Sequence, residues 1–318
     1  MVNRGSGESM ELKNKRGIFF TSIVVVILSL FFLTSTFYSS IKERESIRDR
    51  IETMNNLIFS LEKDMSRQVY ISSYRAILSI ESHILETGEF VADAEALIEE
   101  AITNATINNQ AVNLMEGFKL SDWNSRVSEI GEKSNLIINY TIENVEAYQE
   151  DPWNVKVQMT INLSVSDKSN LASWQKTETI EALIPITEFE DPLYLINTNG
   201  LVANKITRTP FLDFVNGNDI TNLYNHANNS FYIASPSAPS FLDRLKGAVS
   251  SNENGIESLI NLKDLSDQGI AIKDKSVVDY IYFSSSNPSA CAVLPSGMPS
   301  WFKLDSDHLS VYEVSCAS

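Results

Sequence analysis

The sequence has few of the residues from which catalytic and metal-binding sites are commonly built. Its 318 residues include three histidines, two cysteines and 12 glycines. His83, His226 and His308 lie far apart, and no two of them have the spacing of metal ligands. The sequence also lacks the glycine-rich loop that holds phosphates and the Gly-x-Ser-x-Gly turn that presents a serine nucleophile. We therefore expect no enzyme activity, no cofactor and no metal site.

Neighbouring carboxylates are plentiful and offer a different chemistry. Such groups can bind calcium or act as an acid and base pair, but no oxygen-rich loop pattern surrounds them here. We interpret them as solvated surface residues. The weaker alternative is that they serve a hydrolase, which the membrane segment described below would tether. The clearest examples are Glu188, Glu190 and Asp191, and then Asp305 and Asp307.

Positive charge is scarce as well. The chain has 25 lysines and arginines against 41 aspartates and glutamates, which gives a formal net charge of -16. A nucleic-acid-binding protein needs clustered basic residues to contact phosphates, so we expect no nucleic-acid partner. The acidic residues are spread along the chain, which is typical of a solubilising surface.

The two cysteines, Cys291 and Cys316, both lie near the C-terminus. In a cytosolic chain they would be free thiols, whereas in an exported chain they would form a disulfide. That bond would close a loop of about 26 residues and add about 3 kcal/mol to stability. Their spacing matches no metal motif, so the pair is a candidate disulfide.

One long stretch of the sequence has no charged residue. Residues 18–38, IFFTSIVVVILSLFFLTSTFY, number 21, close to the ~20 that cross ~30 Å of hydrocarbon as a helix. Basic residues flank the stretch at Lys15, Arg16, Lys42 and Arg44. It is longer than the apolar core of a usual secretory signal, and no Ala-x-Ala cleavage site follows it. We predict a retained transmembrane helix whose partner is membrane lipid.

The orientation of this helix is predicted from the size and content of its two flanks. Lysines and arginines are nearly balanced on the two sides, so they do not decide it. The basic leader, residues 1–17, is short enough to stay in the cytoplasm. The large C-terminal part carries Asn-x-Ser/Thr glycosylation sequons, which predicts an extracellular ectodomain on a single-pass cell-membrane protein. The four candidate glycosylation sites are Asn104, Asn139, Asn162 and Asn228.

Periodicity predicts an α+β fold in which the transmembrane helix continues into a long stalk helix. Residues 154–166 alternate apolar and polar side chains, which predicts a half-buried strand with Asn162 facing solvent. The same alternation near residue 139 places Asn139 on the exposed face. Three such runs, 136–148, 154–166 and 174–186, are joined by short turn-rich linkers, which predicts an antiparallel meander as the head.

The rest of the chain is divided into segments by changes in composition and in the pattern of apolar residues. Stalk helices are predicted over residues 39–103, with a second helix from 93 to 103, and the sheet domain over 104–190 with Trp123 buried. Proline-broken segments over 191–318 predict an irregular, mixed C-terminal subdomain. In that subdomain PSFLDRLKG and GIESLINL are typical of short helices, and residues 277–284 of a buried strand.

An apolar stripe on the stalk has two interpretations. Its members recur every three or four residues from Ile47 to Met65, as in a heptad repeat. The stripe can form a coiled coil with another chain, which makes the N-terminal helix a candidate surface for homo- or hetero-oligomers. It can equally pack on the chain's own ectodomain, and periodicity does not distinguish the two.

The junction Lys15-Arg16-Gly17 followed by IFFTSIVVVILSLFF resembles the processing region of type IV pilin-like proteins, particularly archaeal ones. The resemblance implies cleavage between Gly17 and Ile18 by a prepilin peptidase, after which the apolar helix serves as anchor and polymer core. Many pilins have glutamate at the fifth mature position, where this chain has Ser22, and that departure weakens the polymerisation argument. An uncleaved plain anchor is the alternative. The specific resemblance covers about 25 residues, and the stalk and sheet extend it to about half the chain.

Two main functions follow from these patterns. The first is a pilin-like, glycosylated surface protein with a structural or adhesive role. The second is a single-pass, receptor-like module whose ligand binds in the proline-broken C-terminal part. N-terminal sequencing distinguishes pilin-type processing from a plain anchor, because a processed chain starts at Ile18.

Overall fold

The computed structural model describes residues 8–317, without the side chains of residues 8–16 and of Ile18. The first seven residues of the predicted leader therefore lie outside the described residues. The architecture is α+β, as predicted, with one very long helix followed by small antiparallel sheets and short helices.

The first helix, α1, runs from Glu8 to Thr87 without interruption and has 80 residues. At 1.5 Å per residue it is about 120 Å long. It ends at Thr87, because the next residue, Gly88, takes the left-handed conformation (φ +69°) and donates its N–H to the Ile84 carbonyl at 2.9 Å. The transmembrane and stalk predictions therefore fall on one continuous helix.

Seven shorter helices follow in the described residues, with one turn of 3-10 helix at Asn113–Met115. They are α2 (Ala94–Asn104), α3 (Leu120–Lys133), α4 (Pro192–Asn197), α5 (Thr221–Asn228), α6 (Phe241–Leu245), α7 (Leu262–Asp267) and α8 (Asp279–Phe283).

The strands fall into four antiparallel sheets, of which one is large. They are β1 (Thr106–Ile107), β2 (Gln110–Ala111), β3 (Leu136–Asp151), β4 (Asn154–Asp167), β5 (Ser173–Pro185), β6 (Tyr232–Ala234), β7 (Ile256–Ser258), β8 (Ala290–Leu294), β9 (Lys303–Asp305) and β10 (Ser315–Cys316).

The large sheet is the meander β3-β4-β5, as predicted. Each observed strand matches its predicted run to within three residues at either end. Side chains of β4 alternate strictly between buried and half-buried, since this central strand has neighbours on both sides. The buried face packs against α1, α2 and α3 and forms the main core.

The apolar stripe of α1 packs on this sheet from Met54 onward. Met54, Ile58, Leu61 and Met65 are all buried, at 6% exposure or less. Nearer the N-terminus of the helix, Ile47 is half-buried and Ile51 is 41% exposed, so the buried part of the stripe begins at Met54. Of the two interpretations of the stripe, contact with the chain's own ectodomain is the one observed.

Helix α2 agrees with its prediction, whereas α3 was not predicted. Asp93 caps α2, with its carboxylate accepting the Ala96 N–H at 3.0 Å. The 14 residues of α3 fall in a stretch in which the sequence predicts only a buried Trp123. That burial is confirmed, and the indole N–H of Trp123 donates to Asp64 of α1 at 2.9 Å.

Two predictions in the C-terminal region are wrong. The apolar residues 277–284 contain the short helix α8 instead of a strand, and GIESLINL begins with strand β7 instead of a helix. Short apolar runs have the same composition in either state, so tertiary contacts decide. A second buried cluster occupies this region, while Tyr232, Phe241 and Ile256 belong to the main core.

Candidate membrane anchor and ectodomain sites

The N-terminal part of α1 exposes a continuous band of large apolar side chains. Phe19, Phe20, Phe31, Phe32 and Phe37 are each 66–72% exposed. Soluble proteins rarely expose apolar patches of this extent to water. Among the described residues, α1 is the one helix long and apolar enough to cross a membrane, and its most apolar stretch is not buried at all.

Several hydroxyl groups in this band donate to carbonyls of the helix itself. Ser29 donates to the Val25 carbonyl at 2.7 Å, and Thr36 donates to the Phe32 carbonyl at 2.9 Å. Polar groups without a partner are costly in hydrocarbon, where water is absent. These local bonds let the segment remain helical and apolar in lipid despite its serines and threonines.

A short exposed segment separates the apolar band from the head. Residues 39–50 are exposed or half-buried, and the core begins at Met54. At the junction Arg50 lies 3.3 Å from the buried carboxylate of Asp167, the last residue of β4. This ion pair ties the helix to the end of the central strand.

The candidate processing junction lies inside α1. Gly17 is exposed, and a Cβ added to it would meet nothing within 4 Å. The side chain of Ile18 lies outside the described residues. The Gly17–Ile18 bond is therefore embedded in helical backbone, and cleavage there stays a prediction.

Three of the four sequon asparagines are exposed. Asn104 and Asn228 are the last residues of α2 and α5, and Asn139 lies on the edge strand β3. Asn162 differs from its prediction, because it is half-buried on the central strand β4 between Thr141 and Thr177. Its side chain points to the outer face, but the neighbouring strands cover part of it.

Cys291 and Cys316 form a disulfide with their Cα atoms 5.6 Å apart. The bond joins β8 to β10, two strands that already pair antiparallel. It therefore fastens the C-terminal segment, which would otherwise be held by a short ladder alone.

A fully buried ion cluster lies at the centre of the C-terminal region. The Arg244 guanidinium contacts Asp191 at 2.6 Å and Asp279 at 2.9 Å, and all three side chains have 0% exposure. Tyr232 donates its hydroxyl to Asp191 at 2.7 Å, and Ser258 donates to Asp279 at 2.8 Å. Burial alone would lower the pKa of Arg244, but the two aspartates raise it above its ordinary value.

A second buried cluster surrounds His308. Its Nδ1 lies 2.7 Å from Asp305 and its Nε2 lies 3.4 Å from Glu257. Burial opposes protonation of the ring, yet the two carboxylates raise the pKa of His308 to about 10. The imidazole is therefore a cation at neutral pH. Tyr312 and Tyr280 complete the cluster through their hydroxyls.

A further buried acid, outside the two clusters, lies on α1. Glu81 is 7% exposed, and its Oε1 has no hydrogen-bond partner among the described residues. Burial, reinforced by the nearby charge of Glu190, raises the pKa of Glu81 to about 9. The group is therefore a neutral acid at pH 7.

These clusters correct the interpretation of the acidic residues as solvated surface. Asp191 and Asp305 are buried, at 0% and 2% exposure, whereas Glu188 and Asp307 are exposed as predicted. His226 is fully buried as well, and burial lowers its pKa to about 3. His83 is a half-buried residue of α1 whose ring lies near the Asn108 amide.

The two ion clusters are closed to solvent. Each joins segments that are distant in sequence and leaves little of its charge exposed. Among the described residues, no three histidine, cysteine or carboxylate side chains converge as metal ligands would. Sequence spacing gives little sign of these clusters, because most of their members lie tens of residues from their partners. Asp305 and His308, three residues apart, are the exception.

Comparison with known proteins found no matching family, no similar curated protein and no similar solved structure. The long apolar helix followed by a β-sheet head is compatible with a pilin-like fold.

Proposed function

We propose that this chain is a single-pass, membrane-anchored surface protein of pilin-like architecture with a structural or adhesive role. The observation that carries the proposal is the division of one continuous helix into two environments. From Phe19 to Tyr38 its large apolar side chains are exposed, and from Met54 onward its apolar stripe is buried under a sheet. Lipid around the first part and protein around the second account for both.

The energetics favour lipid around the exposed band. Burying a large apolar side chain contributes about 1.5–3 kcal/mol, and the band contains more than a dozen such residues. Water around all of them would therefore cost tens of kcal/mol relative to hydrocarbon. A second protein could also cover the band, but it would have to surround the helix, since exposed residues occur on every side.

Two features support an extracellular ectodomain. The head carries three exposed sequon asparagines, and it contains a disulfide. We propose a non-catalytic role for this ectodomain, because its charged clusters are buried within the fold.

Two features support a pilin-like type of anchor. One is the basic leader that ends at Gly17 directly before the apolar helix. The other is the fold, in which the same helix continues into an antiparallel meander. Ser22 at the fifth position of the processed chain supports anchoring more than assembly into a fibre.

The test is membrane extraction combined with protease treatment of intact cells. The full-length chain should stay with membranes in carbonate, and external protease should remove its C-terminal half. A variant with Ile27→Lys and Leu30→Lys should appear in the carbonate wash, because each charge at a helix centre costs about 2.5–3.5 kcal/mol. Ser46→Lys, which adds the same charge outside the apolar band, should behave as the wild type.

N-terminal sequencing of the membrane-bound protein completes this test. A chain that starts at Ile18 supports pilin-type processing, and an intact leader supports a plain anchor. Release of the wild-type chain by carbonate, or a protease-resistant C-terminal half on intact cells, would refute the proposal.

A further inference from the structure

A small pocket in the C-terminal region lies directly beside one sequon. Its volume is about 190 Å³, and its apolar lining includes Tyr224, Met298 and Trp301. The amides of Asn228 and Asn261 belong to the same lining. Tyr224 is 43% exposed and Trp301 is half-buried, so both rings present part of a face to solvent.

This lining fits the chemistry of a sugar ring. A pyranose presents apolar C–H groups on its faces and hydroxyl or amide groups at its rim. Small-molecule pockets combine apolar and aromatic walls with a few placed polar groups, and this pocket has both. The Tyr224 hydroxyl and the Trp301 indole N–H have no hydrogen-bond partner among the described residues, so each is free to donate to a ligand.

The side chain of Asn228 is held in an orientation that suits attachment of a glycan. Its Oδ1 accepts from Asn261 Nδ2 at 3.5 Å, and its backbone carbonyl accepts from the same amide at 3.1 Å. The buried Asn261 is itself fixed, because its Oδ1 accepts the Lys263 N–H. Asn228 Nδ2, the atom to which an N-linked sugar is joined, has no partner among the described residues.

We propose that a glycan on Asn228 lays its first sugar ring in this pocket, against Trp301 and Tyr224. In the attachment step, a bond forms from Asn228 Nδ2 to the anomeric carbon of a lipid-pyrophosphate-linked oligosaccharide. The lipid pyrophosphate leaves, and Nδ2 gives up one proton. The inference rests on the proposed function, because only an exported ectodomain meets such a donor.

The other exposed sequon at a helix end provides an internal control. Asn104 also borders a surface cavity, of about 480 Å³, but no aromatic residue lines it. The two asparagines are both exposed and both end a helix, so they differ chiefly in the aromatic wall beside Asn228.

The experiment follows the release of each glycan from the native full-length protein. The chain is produced in a eukaryotic secretory host, purified in detergent, and treated with a peptide-N-glycosidase, while glycopeptide mass spectrometry measures occupancy over time. We expect release from Asn228 to be several-fold slower than from Asn104. Trp301→Ala should raise the Asn228 rate to that of Asn104, whereas Trp301→Phe should keep most of the protection. Trp174→Ala, on β5, should change neither rate.

Tyr224→Ser gives a second variant in case Trp301→Ala misfolds, and it should also speed release from Asn228. The inference is overturned if Asn228 is bare while Asn104 is occupied, or if these substitutions leave the Asn228 rate unchanged; the proposed function then stands. A second result would also overturn the inference. In it, glycan release is equally fast at Asn228 and Asn104 in the wild type, and free N-acetylglucosamine binds to the Asn228→Gln protein in a way that requires Trp301. The pocket would then be assigned to an external sugar. If both sites are bare and external protease does not reach the ectodomain, the proposed function fails as well.

Discussion

At the residue scale, the C-terminal region depends on charges that it has removed from water. Arg244 is the centre of one cluster, with two aspartates against its guanidinium and its Nη2 hydrogen-bonded to the Ile256 carbonyl. Burying three charges costs several kcal/mol per ion, so the cluster is stable only while every partner is present. It joins the loop before α4 to α6 and α8, which are distant in sequence.

Removing the central cation should therefore be costly. Arg244→Met keeps an unbranched apolar side chain at this position but leaves Asp191 and Asp279 buried together without their cationic partner. We expect the free energy of unfolding to fall by about 3–5 kcal/mol, measured by urea denaturation in detergent. Arg67→Met, at an exposed position of α1, is the control and should change stability by less than about 0.5 kcal/mol. Equal losses in the two variants would contradict the role assigned to the cluster.

Glu81 makes a prediction about pH. Its folded-state pKa of about 9 lies above the ordinary value of 4.5, so the folded chain binds this proton more tightly than the unfolded chain. The stabilisation is complete below pH 4.5 and is lost as the pH rises toward 9. Glu81→Gln removes this dependence, so the variant should gain stability relative to the wild type by up to about 1 kcal/mol per pH unit between pH 5 and 8.

Thermal or urea denaturation at several pH values measures this gain. Glu86 is an exposed residue of the same helix, so the stability of the Glu86→Gln variant should change with pH in the same way as that of the wild type. A constant difference between Glu81→Gln and wild type at all pH values would show that Glu81 is ionised in the folded protein.

At the element scale, α1 contributes to stability only over its C-terminal half. Ile77 and Ile80 are completely buried between the sheet and the short helices, while Leu85, one turn further on, is 59% exposed. Ile77→Ala should lower the free energy of unfolding of the head by about 2–5 kcal/mol, because the lost side chain leaves a cavity. Leu85→Ala should have little effect, and urea denaturation of the two variants compares them directly. Similar midpoints would mean that the helix does not form the core.

Long helices and strands could be predicted from the sequence better than short ones. The apolar part of α1 and the three long strands could be predicted from the sequence. The first is a charge-free run of 21 residues, and the strands alternate apolar and polar residues over many positions. Helix α3 escaped prediction because its buried residues, Leu120, Trp123 and Val127, lie among serines, asparagines and charges, and no side chain caps its start. Helix α8 has five residues, too few for a helical period to appear, and its state depends on the contact of Asp279 with Arg244.

At the scale of the whole molecule, the sequence alone predicts the architecture but not which side chains are buried inside the C-terminal region. Anchor, stalk and meander are encoded locally, each in a continuous segment. The buried clusters are assembled from distant positions, such as Glu257 with His308 and Asp191 with Arg244, so a single sequence gives no sign of which acidic residues turn inward. The same limit applies to the pocket beside Asn228, whose walls come from α5 and from the segment near residue 300.

The exposed stretch of α1 between the apolar band and the head determines how far apart these two parts lie. Twelve helical residues, 39–50, span about 18 Å, whereas the headgroup layer of one leaflet is about 5–8 Å thick. With the apolar band in a bilayer, as proposed, the acidic head would lie about 10 Å beyond the lipid surface, roughly one Debye length at physiological salt. Repulsion between anionic headgroups and a strongly negative domain would be largely screened at that height, so the helix would serve as a spacer between such a domain and a membrane of like charge.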